Sequence, residues 1–426
     1  MAQAKLHILL GGERMGILKR DSRGRISLVY TQEWLSKETP VPLSVSMPVL
    51  PTIYSGSVIE NWLWGLLPDN EDTLRRWAQR FQVSVRNVFE LLAHLGEDVA
   101  GAIQIVRPDR EKAAITKGKI RWLSSKEFDE RLTSLRADAV LAREAEDPGR
   151  FSLAGVQSKT ALLFQKGRWG VPSGRIPTNR IVKLAGSAYS GLIENEHFCL
   201  SLANAIGLNA AETSVLNRAG VTAIIVNRYD RIELSGKLIR LHQEDMCQAL
   251  SVHPVNRYQN EGGPGVLDIF KLLNNSSDPQ TDQESFLRAQ IFNFLVGGTD
   301  AHAKNFSLLL GEQGVVRLAP LYDVASMLPY ANYKQLDLAM RIGDSYDFAH
   351  TLARHWEALR GEIPLTVSPV DLLEEYAQKM PTTAKSVAAK CRIDGIEHNV
   401  IGELEDQIKK MCARTLMAIG QFRKQG

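Results

Sequence analysis

Apolar and polar positions alternate from the start of the chain. "KLHILLGGERMGILKRDSRGRISLVY", residues 5–30, places every second side chain on one face, with turn signals at Gly11-Gly12 and Ser22-Arg23-Gly24. This period-2 pattern predicts a three-stranded meander. The period then lengthens. "ENWLWGLLPDNEDTLRRWAQRF" repeats its apolar residues every three or four positions and predicts helix broken at Pro68; "SVRNVFELLAHLGEDVAGAIQIV" predicts helix followed by strand. Together these make a small lobe over residues 1–107. The charged stretch "RPDREKAAITKGK" looks like its exit, opening a linker or helical connection over 108–149.

From residue 150 strand patterns return. "FSLAGVQSKTALLF" and "RIVKLA" predict strands, "ENEHFCLSLANAIGL" a helix closed by Gly207, and "ETSVLNRAGVTAIIVNRYDR" a β-hairpin. Residues 150–242 therefore read as a mostly antiparallel sheet with one helix, suited to gripping a nucleotide. Over 243–426 helices dominate: "QEDMCQALSV", "VLDIFKLLNN", "DQESFLRAQIFNFLV", "SYDFAHTLARHWEALRG" and "EHNVIGELEDQIKKMCARTLMAIGQF", with short strands at "FSLLL" and "VVRLA". No internal repeat or low-complexity tract interrupts them.

Composition narrows the class. The 426 residues are 44% hydrophobic and 23% charged, ordinary globular values that suggest two or three packed lobes. A net charge of +3 is too mild to argue for direct nucleic-acid binding and leaves an acidic partner or substrate open. Cys199, Cys247, Cys391 and Cys412 form no CxxC pair, which points to reduced thiols in a cytoplasmic protein, without a disulfide framework or zinc site. No apolar run approaches the ~18 residues that span a bilayer. The "LHILL" run is short and soon followed by Glu13 and Arg14, unlike a signal peptide.

The densest chemistry lies in "NFLVGGTDAHAKNFSLLL", residues 293–310, where Asp300, His302, Lys304 and Asn305 sit between two apolar segments. Asp300 and Asn305 have the D-x-x-x-x-N spacing of protein-kinase catalytic loops, in which the Asp takes the proton of the attacking hydroxyl and the Asn oxygen holds Mg²⁺. Strand, turn and strand then deliver Asp323 as a second carboxylate. Mg²⁺ takes a few carboxylate or carbonyl oxygens together with phosphate and water, and Asp300, Asn305 and Asp323 fit that demand. Each carboxylate alone would serve equally as a turn or helix cap; the ordered set favours the site. Gly297-Gly298 permits close backbone approach. His302 has no H-x-x-H or H-E-x-x-H partner, so a nucleotide contact or loop-shaping hydrogen bond is expected in place of zinc.

Upstream, Lys183 ends the apolar strand "RIVK" and can aim an ammonium at phosphates, with Glu194 or Glu196 as an ion-pair partner. "SLAGVQSKT" is not a G-x-G-x-x-G cover, and no P-loop motif occurs, yet its backbone amides with Ser158 and Lys159 can cradle phosphates. "VNRYDR" closes an apolar strand where a hinge would meet adenine.

These motifs, in order, resemble those of HipA-type serine/threonine kinases, the toxin components of bacterial HipBA-like toxin–antitoxin systems. "WLWGLLPDN" with "FELLAHLGEDVAGAIQI" is similar to the family's N-terminal lobe. "SLAGVQSKTALL", "ENEHFCLSLANAIGL", "VNRYDR", "QEDMCQAL" followed by "EGGPG", "TDAHAKNFSLL" and "APLYDVAS" resemble successive kinase-domain motifs. The resemblance implies an α+β, two-lobed protein-kinase-like fold, with an N-terminal α/β lobe carrying a small β-meander and a mostly helical C-terminal lobe. It implies Asp300 as catalytic base, Asn305 and Asp323 as Mg²⁺ ligands, and Lys183 as the phosphate-binding lysine. Ala154, Gly155, Val156, Gln157, Ser158 and Lys159 become the phosphate-facing loop. Asn227, Arg228 and Tyr229 become the adenine hinge, and His302, Ala303, Lys304 and Tyr322 line the ATP site. Ser152 matches the family's autophosphorylated serine, whose modification expels that loop and inactivates the kinase. The chain departs from wider kinases in having no His-Arg before Asp300 and Val324-Ala325 in place of Phe-Gly; Asn227 stands where the family commonly has an acidic residue.

The resemblance further implies an ATP- and Mg²⁺-dependent toxin that phosphorylates an aminoacyl-tRNA synthetase, glutamyl-tRNA synthetase being the first expectation, with growth arrest and persistence as the result. A HipB-like helix-turn-helix antitoxin would neutralise it and carry it to operator DNA; no membrane partner is expected. Two alternatives stay open: a small-molecule or lipid phosphotransferase of the same fold, and a non-catalytic pseudokinase co-repressor, against which Asp300, Asn305, Asp323 and Lys183 argue.

Overall fold

The computed structural model describes residues 4–116, 118–137, 157–184, 186, 189–363 and 365–425. Two compact units form: one from Met1–Leu184, Leu216–Val255 and Leu308–Val316, the other from Ala185–Val215, Asn256–Ser307 and Arg317–Gly426.

The alternation at the start of the chain becomes β1 (Ala4–Leu10), β2 (Glu13–Arg20) and β3 (Ile26–Tyr30), paired antiparallel with Leu6 opposite Leu18 and Leu18 opposite Leu28. Those three leucines are fully buried, which pins the register, because a one-residue slip would turn them to solvent. After the short α1 (Gln32–Leu35), β4 (Ile53–Ser55) extends the sheet. The helices α2 (Ser57–Trp64) and α3 (Glu71–Phe81) are separated around Pro68, as the pattern predicts. Asn70 caps α3 and Asn87 caps α4 (Val88–Leu95), each accepting a backbone amide of the first turn. With β5 (Ile103–Val106) the sheet order is β4-β3-β2-β1-β5.

The expected exit linker is instead packed. Its α5 (Glu111–Ile115) returns to the sheet, where Glu111 accepts from Arg14 at 2.8 and 2.5 Å and meets His7 at 2.9 Å. Ala114 fills a small cluster with Leu9 and Val106. The stretch is charged, but the Glu111 carboxylate has partners on β1 and β2. β6 (Ile120–Trp122) and α6 (Ser125–Ala137) follow; Phe128, Leu132 and Leu135 bury against Leu162, Val182 and Ala223. Each large apolar side chain contributes roughly 1.5–3 kcal/mol.

β7 (Lys159–Gln165), β8 (Arg168–Pro172) and β9 (Arg180–Leu184) precede α7 (Leu192–Ala205), β10 (Thr213–Arg218) and β11 (Val221–Asn227). The sheet order is β10-β11-β9-β7-β8-β6. After the hairpin β12 (Arg231–Leu234) and β13 (Lys237–Arg240), the expected helix at "QEDMCQALSV" begins as β14 (His242–Asp245). The reason is Glu244, which is buried and accepts from Val45 N at 2.8 Å and Trp62 Nε1 at 3.0 Å. Asp245 then forms a capping box with Gln248 for the four-residue α8 (Met246–Ala249).

Further along the chain come α9 (Val266–Leu273), α10 (Pro279–Val296), β15 (Ser307–Leu310), β16 (Val316–Leu318), β17 (Asp337–Ile342) and β18 (Ser345–Asp347). The last elements are α11 (Ala353–Glu362), α12 (Pro369–Ile393) and α13 (Asn399–Gln425). "SYDFAHTLARHWEALRG" therefore opens as strand, since Ser345 pairs with Ile342 across the turn at Gly343. The pattern missed α12, whose interior holds Pro381. Phe294 packs against Phe348 and Trp356 at 5.3 and 5.5 Å between ring centres. All four cysteines are free and buried. Among the described residues no helix is long and apolar enough to cross a membrane.

Candidate active site

In the second unit α10 stops at Gly297, whose φ of +70° lies in the left-handed region. A Cβ there would come within 2.4 Å of Leu328, and one on Gly298 within 2.7 Å of the Asn293 side chain. The left-handed backbone favours glycine at 297, and at both positions the neighbouring side chain would have to shift to admit a Cβ. The chain leaving the helix is then pinned from outside: Met327 N donates to Gly297 O at 2.8 Å and Ala339 N to Thr299 O at 3.0 Å.

Within the loop the D-x4-N spacing has a direct cause. His302 N donates to Asp300 O at 2.8 Å, Asn305 N to His302 O at 2.9 Å, and Asn305 Nδ2 reaches back to Asp300 O at 3.0 Å. Residues 303–305 form one turn of 3-10 helix. With its nitrogen engaged, Asn305 has its side-chain oxygen left to coordinate a cation. Asn305, His302, Lys304 and Thr299 are buried, whereas Asp300 is exposed. Tyr258 donates its hydroxyl to Asp300 Oδ1 at 2.7 Å and presents its ring to His302 at 5.0 Å and 80°. Burial pushes the His302 imidazole below its ordinary value, against the upward pull of Asp300 and Asp323. A neutral ring with Nδ1 buried and unbonded among the described residues suits a hydrogen bond to a ligand.

Asp323 is held on both sides. Tyr322 donates to Lys304 O at 2.7 Å and its hydroxyl lies 2.6 Å from Ser307 Oγ, tying this segment to the loop. Leu321 forms a parallel bridge with Ala210, its amide donating to Asn209 O at 2.8 Å. Asn195 of α7 clamps Ser326 with both ends of its amide: Nδ2 donates to Ser326 O and Oδ1 accepts Ser326 N, each at 2.8 Å. Asp323 itself adopts φ +58°, a conformation that costs a non-glycine residue roughly 1–3 kcal/mol and that recurs at functional sites. The sequence drew attention to Glu194 and Glu196; the fully buried residue between them does the clamping.

The first unit holds the remaining expected residues. Lys183 on β9 is buried and lies opposite Lys159 of β7, while Leu184 N donates to Ser158 O at 3.0 Å. Gln157 is described as well, with its side-chain oxygen buried. Ser152, Ala154, Gly155 and Val156 lie outside the described residues. Asn227 pairs with Arg180 at the end of β11, and the Tyr229 hydroxyl bonds Gln243.

The Arg228 side chain is engaged within the first unit. Its guanidinium donates to Asp230 at 3.0 and 2.8 Å, to Thr178 Oγ1 at 3.0 Å and to Val99 O at 2.9 Å. Its amide donates to Asn179 O and its carbonyl accepts from Arg231 N. Asp98 receives Arg231, Arg240 and Thr178, and Gly101 N donates to Asp230 at 2.8 Å. The Arg228 side chain is thus part of a buried ionic knot on the 97–101 loop. Asp98 carried no motif that would have announced this.

The donor set fits Mg²⁺. Asn305 and Asp323 offer hard oxygens, and among the described residues no cluster of three or more His, Cys, Asp or Glu gathers around another metal.

Residues 6–106 match the family described as HipA N-terminal domain, and residues 151–388 match the HipA-like C-terminal domain. The chain is 38% identical to the putative kinase Y4mE of Sinorhizobium fredii over 93% of this chain and 97% of that one. It is 28% identical to the serine/threonine-protein kinase toxin HipA of Shewanella oneidensis, covering 98% and 97%. The solved Shewanella oneidensis HipA, in complex with HipB and its operator DNA, superposes with a TM-score of 0.83 at 25% identity, over 98% of this chain and 99% of that one.

Proposed function

Because this chain belongs to the HipA family of serine/threonine kinases, we propose that it transfers the γ-phosphoryl group of ATP to a protein hydroxyl and arrests growth as a toxin. The observation that carries the reading is the loop in which Asn305 is bonded to the carbonyl of an exposed Asp300. Asp300 accepts the acceptor's proton as its oxygen bonds to the γ-phosphorus and the bond to the β-phosphate breaks. Asn305 and Asp323 hold Mg²⁺, which when bound neutralises charge on the phosphates. Lys183 and Lys159 meet the phosphates, with amides of the 154–159 segment; Asn227 and Tyr229 border adenine, and His302 to Lys304 with Tyr322 line the nucleotide.

The proposed substrate is an aminoacyl-tRNA synthetase, glutamyl-tRNA synthetase first. The proposed partner is a HipB-like antitoxin: the Shewanella oneidensis relative is solved with HipB and operator DNA, and a net charge of +3 leaves DNA reading to the partner. Ser152 is the proposed autophosphorylation site; a phosphoserine adds roughly −1.5 to −2 charges and would drive its loop from the ATP phosphates. The chain would act in the cytoplasm.

The test is transfer of labelled phosphate from ATP with Mg²⁺. Protein-bound label from wild type, absent for Asp300→Asn, supports the reading. Label recovered on a metabolite, or Asp300→Asn retaining half the wild-type rate, overturns it.

A further inference from the structure

We propose that Tyr258 is a positioning residue for phosphoryl transfer: its hydroxyl holds one oxygen of Asp300 so that the other faces the acceptor hydroxyl. The proposal rests on Asp300 being the proton acceptor. Among the described residues, Tyr258 is the one side chain that hydrogen-bonds the Asp300 carboxylate, at 2.7 Å across 42 positions of sequence. No His-Arg pair precedes Asp300, so orientation of this exposed carboxylate falls to a residue far away in the chain.

Tyr258 is itself rigidly placed. Its carbonyl accepts from Glu261 N at 3.1 Å and Gly263 N at 2.9 Å. Gly263 fits there because a Cβ would stand 2.1 Å from Asn256 O and 2.7 Å from Tyr258 O. The Arg257 guanidinium lies 4.8 Å over the phenol ring, and His302 meets its edge. Ala303 N donates to Arg257 O at 3.4 Å, which ties the 256–263 turn to the loop. Gln259, next in the turn, accepts from Arg341 N at 2.8 Å. Burial, then the neighbouring Asp300, pushes the phenol up to about 12, which keeps it a donor at neutral pH.

A hydrogen bond to an ionised carboxylate is among the strong ones, and fixing Oδ1 fixes the direction of Oδ2. The glycine-rich "EGGPG" segment thereby gains a role: it folds the turn that holds the phenol.

Tyr258→Phe removes the hydroxyl and keeps the ring. Full-length wild type and variant are compared for transfer from labelled ATP to the chain itself and to glutamyl-tRNA synthetase. The expected result is a kcat about tenfold lower or more, with KM for ATP, affinity for a non-hydrolysable ATP analogue and Tm unchanged. In the Asp300→Asn background the same substitution brings no further loss. An unchanged kcat overturns the proposal. A raised kcat also overturns it, since the phenol would then occupy the acceptor's place. Nucleotide affinity falling in step with kcat assigns a structural role instead. Should Asp300→Asn retain activity, the reading of Asp300 fails, a result distinct from any of these.

Discussion

At the junction of β11 and β12, Asp98, Arg228, Asp230, Arg231 and Arg240 close upon one another, whereas in the loop after α10 Asp300 stands exposed with one phenol on one oxygen. Both clusters are dense in charge. In the first, Asp98 Oδ1 takes Arg231 and Arg240 while Oδ2 takes Thr178, and Asp230 is bonded at both oxygens. Burial raises the Asp98 carboxyl, but Arg240, Arg231 and Arg228 outweigh it and hold the group well below the carboxylate range. Burial, then Arg228, brings Arg231 down to about 10. A carboxylate with every lone pair engaged is a strut. One with an oxygen to spare can do chemistry, so unused hydrogen-bonding capacity separates the two regions where charge density does not.

The largest effect is expected at the open carboxylate. Asp300→Asn should lower phosphoryl transfer by roughly 10²–10⁴ and leave the melting temperature unchanged, measured on one preparation. Asp98→Ala should do the reverse. It strands buried guanidiniums and should cost roughly 3–5 kcal/mol by urea denaturation, with the surviving folded fraction still active. If Asp98→Ala folds normally but loses activity, the contrast fails.

A third test concerns Glu244, a buried carboxyl between strut and site in character. Burial pushes it up to about 7 despite donors from Ser44, Val45 and Trp62. The folded chain keeps a proton that the unfolded chain releases near 4.5, so stability falls as pH rises from 4.5 through 7 and then levels. The loss is roughly 3 kcal/mol at most. Glu244→Gln should flatten that limb in denaturation curves at pH 5 and pH 8. The smallest effect belongs to the exposed Glu71–Arg75 pair, where Glu71→Ala should not move the melting temperature detectably.

Local pattern made part of this legible. The β1–β3 meander, the break at Pro68 and the stop of α10 at Gly297 all follow from side-chain period and backbone freedom within a few residues. The Asp300–Asn305 spacing is local too, closed by a single hydrogen bond. What escaped depends on partners distant in sequence. The Arg228 side chain has no visible structural role in the sequence until Asp98 and Val99 are brought to it. Asn195 lies between two glutamates that look more chemical, and its role needs Ser326. Tyr258 is unremarkable without Asp300. Helix α12 was hidden by its internal Pro381, and α5 by charges of which Glu111 finds its partners in Arg14 and His7.

The first unit is drawn from three stretches of chain, the last being Leu308–Val316. A ribosome making the chain releases Met1 through Val255 well before that stretch exists. At about 5–20 residues per second, the interval from Val255 to Val316 lasts roughly 3–12 s. During it the nascent chain carries an incomplete lobe, and Asp300 and Asn305 emerge ahead of Asp323. A message broken anywhere upstream of codon 323 therefore encodes a chain without Asp323, one of the two proposed Mg²⁺ ligands. Under the proposed toxin role, such truncated products lack phosphoryl transfer and leave growth unaffected.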